Sequence, residues 1–250
     1  MTVHLLGTGA GVSDPERTTT MLAFAHGATT VLVDCGGDAA RALQRAGLAP
    51  ETLSAVVLTH EHPDHISGFP LLIEKMWLLG RRDPIDVHGP AATLAIARKL
   101  FGLFDTTRWD GLPTLVWHPV ELAEDAAVYE RDGLRLRASP VNHPVPTIGL
   151  RAEADGAVVA YSCDTAPTPV LARLAQGADL LIHEATGHLP DVHCSVDEAC
   201  DTAVEAGVET LVLVHAPIGA ADQDLTRANA RVGSVRWGAD GERIDLAPAG

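Results

Sequence analysis

The sequence has 250 residues and a formal net charge of −15, from 33 acidic and 18 basic side chains. Its length accommodates one large domain or two small ones, and its 46% hydrophobic and 20% charged residues are typical of globular proteins. The acidic balance disfavours wide, salt-dependent contact with a phosphate backbone. No apolar run is long enough to span a bilayer, and the N-terminus lacks a signal-peptide pattern.

The four cysteines form no Cys-x-x-Cys pair. At this chain length an even number of cysteines does not by itself indicate disulfides. We therefore expect reduced thiols, a cytoplasmic location and no membrane partner.

Short apolar runs between turn signals predict many strands, alternating with helices in both halves of the chain. In chain order, strands are predicted at residues 3–6, 20–25, 29–33, 55–58, 85–88, 114–120, 127–130, 134–138, 148–154, 158–162, 180–183 and 210–214, with short strands near Val235 and Ile244. Helices are predicted at residues 38–46, 69–79, 91–104, 167–175, 196–206 and 222–231. This α/β pattern has no low-complexity linker, so it favours a single domain over residues 1–250, with two sheets packed inside outer helices.

Four side chains of the type that binds metals follow the predicted strand 55–58, in the segment His60-Glu61-His62-Pro63-Asp64-His65. In an extended loop His60 and His62 point the same way and can share one ion, whereas Asp64 and His65 follow Pro63 and can face a second. Imidazole and carboxylate ligands together suit zinc, with manganese or iron possible. The alternative is a solvated loop with incidental histidines, which four such residues at this spacing disfavour.

Three more candidate ligands stand where a later predicted strand meets a loop: His143, Asp164 and His215. Strand ends are rigid bases from which side chains can converge on one point. A carboxylate such as that of Asp164 can bridge two cations, because each of its oxygens can bind one.

These residues resemble the metal-binding motifs of the metallo-β-lactamase fold superfamily. The resemblance implies an α/β, four-layer αβ/βα sandwich of two mixed β-sheets flanked by helices, and a hydrolase with two Zn²⁺ per chain. It assigns one ion to His60, His62 and His143, the other to Asp64, His65 and His215, and the bridging position to Asp164.

Other motifs are similar to the ribonuclease Z branch of that superfamily. They are Leu6-Gly7-Thr8-Gly9, Asp34-Cys35-Gly36, Ser162-Cys163-Asp164-Thr165, His183-Glu184-Ala185-Thr186 and His193-Cys194-Ser195, in which Cys194 is a departure. The resemblance implies that His193, partnered by Glu184, is the proton donor to the leaving group. Asp64 is a third candidate catalytic residue, as both ligand and proton acceptor.

Structural roles remain open for two of these residues: a hydrogen bond at a helix start for His193 and a buried structural carboxylate for Glu184. We expect His183 to be structural rather than a ligand. Asp34 is a candidate for orienting a ligand imidazole through a hydrogen bond.

The spacing between two of the candidate ligands bears on the substrate. Members of this branch that grip tRNA carry an arm between the third metal histidine and the bridging aspartate, whereas here a predicted hairpin fills the span from His143 to Asp164. We therefore expect a dinuclear zinc phosphodiesterase that acts on small or cyclic phosphodiesters through a metal-bridging hydroxide. Extended nucleic acid is not expected as a partner, and the resemblance implies a homodimer.

Three alternatives remain open. They are a ribonuclease Z-type tRNA 3′ endonuclease, a lactonase or thioesterase on the same scaffold, and a non-catalytic metal-binding protein.

Overall fold

The apolar strands of the chain pair into two sheets of seven strands each. The computed structural model describes residues 1–247. The strands are β1 (Thr2–Gly7), β2 (Met21–His26), β3 (Thr29–Val33), β4 (Ala55–Val57), β5 (Ile85–Pro90), β6 (Leu115–Val120), β7 (Ala126–Arg131), β8 (Leu134–Pro140), β9 (Ile148–Ala154), β10 (Ala157–Tyr161), β11 (Leu180–Glu184), β12 (Thr210–Val214), β13 (Ser234–Trp237) and β14 (Glu242–Asp245).

The helices lie between these strands. They are α1 (Ala39–Arg45), α2 (Pro63–Ile66), α3 (Phe69–Leu78), α4 (Ala91–Phe101), α5 (Pro169–Ala175), α6 (Val196–Ala206) and α7 (Thr226–Val232), with single 3₁₀ turns at Pro50–Thr52 and Ala220–Asp222. Within the described residues no helix combines the length and apolarity that crossing a membrane requires.

Both sheets are mixed. The first has the order β14-β1-β2-β3-β4-β5-β6 and the second β13-β12-β11-β10-β9-β8-β7. In the first sheet β3 to β6 run parallel and the other pairs are antiparallel, and in the second β10 to β13 run parallel. The predicted fold class, two mixed sheets flanked by helices, is confirmed.

The main core lies between the two sheets, where side chains of both halves of the chain meet. Successive side chains of a strand point to opposite faces of its sheet. In β3, Val31 and Val33 therefore join this inner core, while Leu32 packs on the outer face with α1, α3 and α4. A third cluster joins the outer face of the second sheet to α6 and α7. The predicted single domain remains a prediction, and residues 248–250 of its range lie outside the described residues.

Some boundaries differ from those predicted. The segment after His62 is a short helix rather than a loop, because Pro63 occupies its first position with a backbone angle suited to a helix start. Helix α4 ends at Phe101, followed by the capping residue Gly102. The last helix starts at Thr226, later than predicted. It follows a local turn in which the Asp224 side chain accepts hydrogen bonds from the Thr226 amide and hydroxyl.

Two glycines let the turn after β3 pack directly on the metal-type segment. The amide of Cys35 donates to the carbonyl of His65 (2.8 Å), and the amide of Gly68 donates to the carbonyl of Cys35 (2.8 Å). A Cβ atom at Gly36 would lie 1.6 Å from the carbonyl oxygen of Asp64, and one at Gly68 would lie 2.0 Å from that of Gly37. The backbone that carries Asp64 and His65 can therefore pack this closely only because Gly36 and Gly68 have no side chains.

We expect Gly36→Ala to destabilise the fold by about 3 kcal/mol, since the methyl group overlaps backbone that cannot move without shifting His65. The control is Gly27→Ala in the turn between β2 and β3, where φ is +56° and no described atom lies within 4 Å of an added Cβ. That change should cost about 1 kcal/mol through backbone strain alone. Urea unfolding measures both, and equal losses would contradict the close packing.

Candidate metal centre

The predicted ligands converge where strand ends of the two sheets meet. Segment 60–65 follows β4 of the first sheet, while His143, Asp164 and His215 follow β8, β10 and β12 of the second. The structure brings all seven predicted ligand residues together, in two groups that share Asp164.

The first group contains His60, His62, His143 and Asp164, whose possible ligand atoms all lie within 4.8 Å of one another. The Nδ1 atom of His62 is 3.2 Å from the Nε2 atoms of both His60 and His143. The Oδ2 atom of Asp164 is 3.8 Å from Nε2 of His60. Three imidazole nitrogens and one carboxylate oxygen therefore face a common point.

The second group contains Asp64, His65, Asp164 and His215. The Oδ2 atom of Asp164 is 3.4 Å from Nε2 of His65 and 3.3 Å from Nε2 of His215. The Oδ2 atom of Asp64 is 3.6 Å and 3.3 Å from the same two nitrogens. Asp164 thus lies between the two groups, as a bridging carboxylate would.

The donor atoms fit a cation. His60, His65, Asp164 and His215 are buried, and Nε2 of His65 and Oδ1 of Asp164 have no hydrogen-bond partner within residues 1–247. Buried polar atoms without partners cost free energy, and buried charges are normally paired or bind metals. A set of nitrogen and carboxylate donors of this kind matches zinc chemistry.

Hydrogen bonds behind the imidazoles aim Nε2 of two histidines at the cluster. Nδ1 of His65 donates to Oδ2 of Asp34 (2.8 Å), and Nδ1 of His143 donates to the carbonyl of Val192 (3.0 Å). When such an imidazole is neutral, its Nδ1 carries the proton and its Nε2 keeps a lone pair for a ligand. Asp34 therefore orients the His65 imidazole through a hydrogen bond, the role for which the sequence made it a candidate.

Two threonines that the sequence analysis missed do the same for His60 and His215. The Thr59 hydroxyl donates to Asp34 (2.7 Å) and accepts from Nδ1 of His60 (3.2 Å). The Thr186 hydroxyl donates to the His215 carbonyl (3.0 Å) and accepts from its Nδ1 (2.5 Å). The only sequence signal was their position, directly before a predicted ligand and at the end of the His-Glu-Ala-Thr motif.

The electrostatics of the cluster favour the protonation states that bind a cation. Burial, aided by the neighbouring His65, holds the pKa of His60 well below its usual range. Burial opposes the charged form of Asp164, but His215 and His65 outweigh it and lower the pKa of that carboxyl well below normal. His65 is the exception: despite burial, Asp164 and Asp34 raise its pKa well above its usual value. A metal ion would have to displace that proton.

Glu184 and His193 lie beside the second group. The Oε1 atom of buried Glu184 accepts hydrogen bonds from Nδ1 of His193 (3.1 Å) and the amide of Cys194 (2.8 Å), and Oε2 accepts from the amide of Thr186 (2.9 Å). The His193 ring centroid is 5.3 Å from that of His215. Glu184 therefore has the structural role left open for it and also orients His193.

The helix-start role left open for His193 is filled by other residues. Ser195 caps α6, and Glu198 completes a capping box with it. His193 is instead held by Glu184, with part of its side chain exposed beside the cluster. Burial disfavours its protonated form, but the hydrogen bond and charge of Glu184 outweigh this and raise the pKa of His193.

The remaining histidines near the site contribute no ligand atom to these groups within residues 1–247. His183 is buried and donates from Nδ1 to the carbonyl of Glu184 (2.6 Å), which agrees with the structural role expected of it. His188 is mostly exposed and contacts Glu198 through Nδ1 (2.8 Å).

A known family matches this geometry and the sequence around it. The family model described as "Beta-lactamase superfamily domain" matches residues 29–216. A relative called ribonuclease Z, from Mycobacterium bovis (strain BCG / Pasteur 1173P2), is 35% identical over 275 aligned positions that cover 98% of both chains. The chain belongs to the ribonuclease Z group of the metallo-β-lactamase superfamily. It is thus a metal-dependent hydrolase.

Solved structures share the fold. The short form of human tRNase Z superposes with a TM-score of 0.80 at 21% identity, covering 99% of this chain and all of the other. A diphosphatase of the PhnP family superposes with a TM-score of 0.77 at 20% identity, covering 99% and 98% of the two chains.

The expectation that extended nucleic acid is not a partner is wrong, because relatives this similar over nearly their whole length are ribonucleases. The net charge misled because it sums the whole chain, whereas an RNA strand touches one face. Asp64 and Asp164, moreover, belong to the cluster that a cation would neutralise. The short span between His143 and Asp164 excludes a long arm at that place only, and says nothing of the rest of the surface.

We expect Glu184→Gln to lower the pKa of His193, because the amide keeps a hydrogen-bond acceptor but removes the negative charge. An NMR titration of the His193 ring in metal-free protein measures this. The control is Glu198→Gln, which alters the partner of His188 and should leave His193 unchanged. An unchanged His193 pKa in Glu184→Gln would contradict the pairing.

Proposed function

We propose that the chain is a ribonuclease Z-type phosphodiesterase that cuts a phosphodiester bond in precursor tRNA. The observation that carries this is the Glu184–His193 pair beside the clustered donors. A cation cluster alone suits many hydrolyses, but a positioned imidazole with a raised pKa suits a leaving group that needs a proton. Relatives called ribonuclease Z support RNA as the substrate.

The proposed cofactor is two Zn²⁺ per chain, with Mn²⁺ or Fe²⁺ as alternatives. The proposed ligands are those of the two groups: His60, His62 and His143 for one ion, Asp64, His65 and His215 for the other, and Asp164 for both. Bound zinc supplies positive charge for the phosphoryl oxygens and lowers the pKa of water.

The residues of the chain then divide the proton transfers between them. Asp64 is more exposed than Asp164, with about a quarter of its side chain accessible, so it can reach water in the cleft and accept a proton. His193, held by Glu184 through Nδ1 and with its pKa raised, presents Nε2 to the departing oxygen and donates its proton there. Such transfer contributes roughly 10²- to 10⁴-fold in enzymes.

A second candidate substrate is a small phosphodiester or diphosphate. The supporting observation is the span from His143 to Asp164, which holds little besides the tight hairpin of β9 and β10. The diphosphatase with the same fold is consistent with a compact substrate. The predicted homodimer and the cytoplasmic location stay predictions.

The test is a substrate panel with zinc-loaded protein: precursor tRNA with a 3′ trailer, bis(p-nitrophenyl) phosphate, a lactone and a thioester. We expect endonucleolytic cleavage of the precursor. In His193→Ala the rate on RNA should fall by about 100-fold or more, because its alkoxide leaving group needs a proton. The rate on the p-nitrophenyl ester should change little, since p-nitrophenolate leaves unprotonated.

The control variant is His188→Ala, an exposed histidine of the same loop that contacts Glu198 rather than Glu184. Activity on the small ester without cleavage of the precursor would favour the second candidate. Activity confined to the lactone or thioester would contradict both, and equal losses on both phosphodiesters would exclude His193 as the proton donor.

A further inference from the structure

Large apolar side chains are exposed on the loops that border the metal cluster. Val12 is 73% exposed, Ile218 66% and Leu189 51%. Isolated exposed aliphatic residues are common and need no explanation. These three differ by their placement, because each stands on a loop that also carries or contacts a residue of the site. We call them the apolar rim.

Val12 and Ile218 belong to two loops that are bonded to each other. The amide of Ala10 donates to the carbonyl of Ala216 (3.1 Å), and the amide of Gly219 donates to the Asp14 carboxylate (3.1 Å). Ile218 follows His215 by three positions. Gly11, next to Val12, is so near Asp64 that an added Cβ would lie 3.2 Å from its Oδ2 atom. Both side chains therefore stand on the Asp64 and His215 side.

Leu189 stands on the loop that carries His193 and holds His143 in place. It pairs with His193 through two backbone hydrogen bonds, from the His193 amide (3.0 Å) and from its own amide (3.2 Å). The same loop supplies the Val192 carbonyl that accepts from His143. The His143 and His193 ring centroids are 5.6 Å apart. The three exposed apolar residues thus stand on loops that contact residues of the polar cluster.

A nucleotide phosphodiester likewise has a polar part and less polar parts next to each other. Its phosphate is charged and polar, while the bases of the flanking nucleotides present flat faces that bind to apolar and aromatic groups without reading the sequence. Exposed valine, leucine and isoleucine gain free energy when such a face covers them. A methyl or other small alkyl ester has almost no surface that could cover these side chains.

We propose that Val12, Leu189 and Ile218 bind the nucleobases next to the scissile phosphate, and so make the enzyme prefer nucleoside over alkyl phosphodiesters. This rests on the proposed phosphodiesterase function. It adds a substrate-binding role to three residues that are neither predicted metal ligands nor the proposed proton donor. In this proposal the catalytic groups act on the phosphate, and the apolar rim binds the nucleobases on either side of it.

The test compares two esters with the same leaving group: thymidine 5′-(p-nitrophenyl phosphate) and methyl p-nitrophenyl phosphate. Each of Val12→Ser, Leu189→Ser and Ile218→Ser should raise KM for the thymidine ester about fivefold, the loss expected for one apolar contact. The methyl ester should be hydrolysed as before. The matched control is Leu103→Ser, since Leu103 is 80% exposed on the loop after α4.

Unchanged KM values in all three variants, or equal increases in KM for both esters, would overturn the proposed role of the apolar rim. If the wild type hydrolyses neither ester, the proposed function fails separately. The role of the apolar rim is then tested by comparing the affinities of zinc-loaded protein for thymidine 5′-monophosphate and for methyl phosphate. Tighter binding of the nucleotide that is lost in the triple variant supports the rim, and equal binding of the two compounds contradicts it. Thermal unfolding should be the same for every variant.

Discussion

Asp164 follows β10 with its carboxylate buried and its Oδ2 atom 3.3 to 3.8 Å from the imidazoles of His60, His65 and His215. His60 belongs to the first donor group and His65 and His215 belong to the second, so this one carboxylate joins the two halves of the site. Its Oδ1 atom has no partner among the described residues. A buried charge in this state is stable only when countered. Protons on neighbouring imidazoles can do so, and the donor set suggests that a divalent cation does it better.

The second sheet places the other residues by its register. Strands β10, β11 and β12 run parallel in adjacent positions, with Ile182 paired to both Tyr161 and Val212. Parallel neighbours end at the same edge, so Asp164, Glu184 and His215 emerge side by side. The proposed bridging ligand, the carboxylate that holds His193 and the last proposed metal histidine therefore lie at or just after the ends of three consecutive strands. The first sheet adds the segment after β4, fixed against Cys35 and Gly36.

The sequence was sufficient for the parts of the molecule that local pattern controls. Apolar strands, the hairpin of β9 and β10 and helix α6, whose predicted bounds 196–206 match the structure, were predictable. The candidate ligands were found because each follows an apolar strand. The hydrogen bonds of Thr59, Thr186 and the Val192 carbonyl were not predictable, because their partners are distant or depend on loop geometry. The prediction about nucleic acid failed because net charge describes the whole surface and carries no information about one cleft.

The central claim, that the clustered histidines and aspartates hold two metal ions, is tested most directly by anomalous X-ray diffraction at the zinc edge. Crystals of protein purified without chelators and supplied with zinc should show two anomalous peaks in the cluster. One should lie about 2.0 Å from the nitrogens of His60, His62 and His143, the other at a similar distance from those of His65 and His215, with Asp164 reaching both. A single peak, or zinc bound only elsewhere on the protein, would contradict the account.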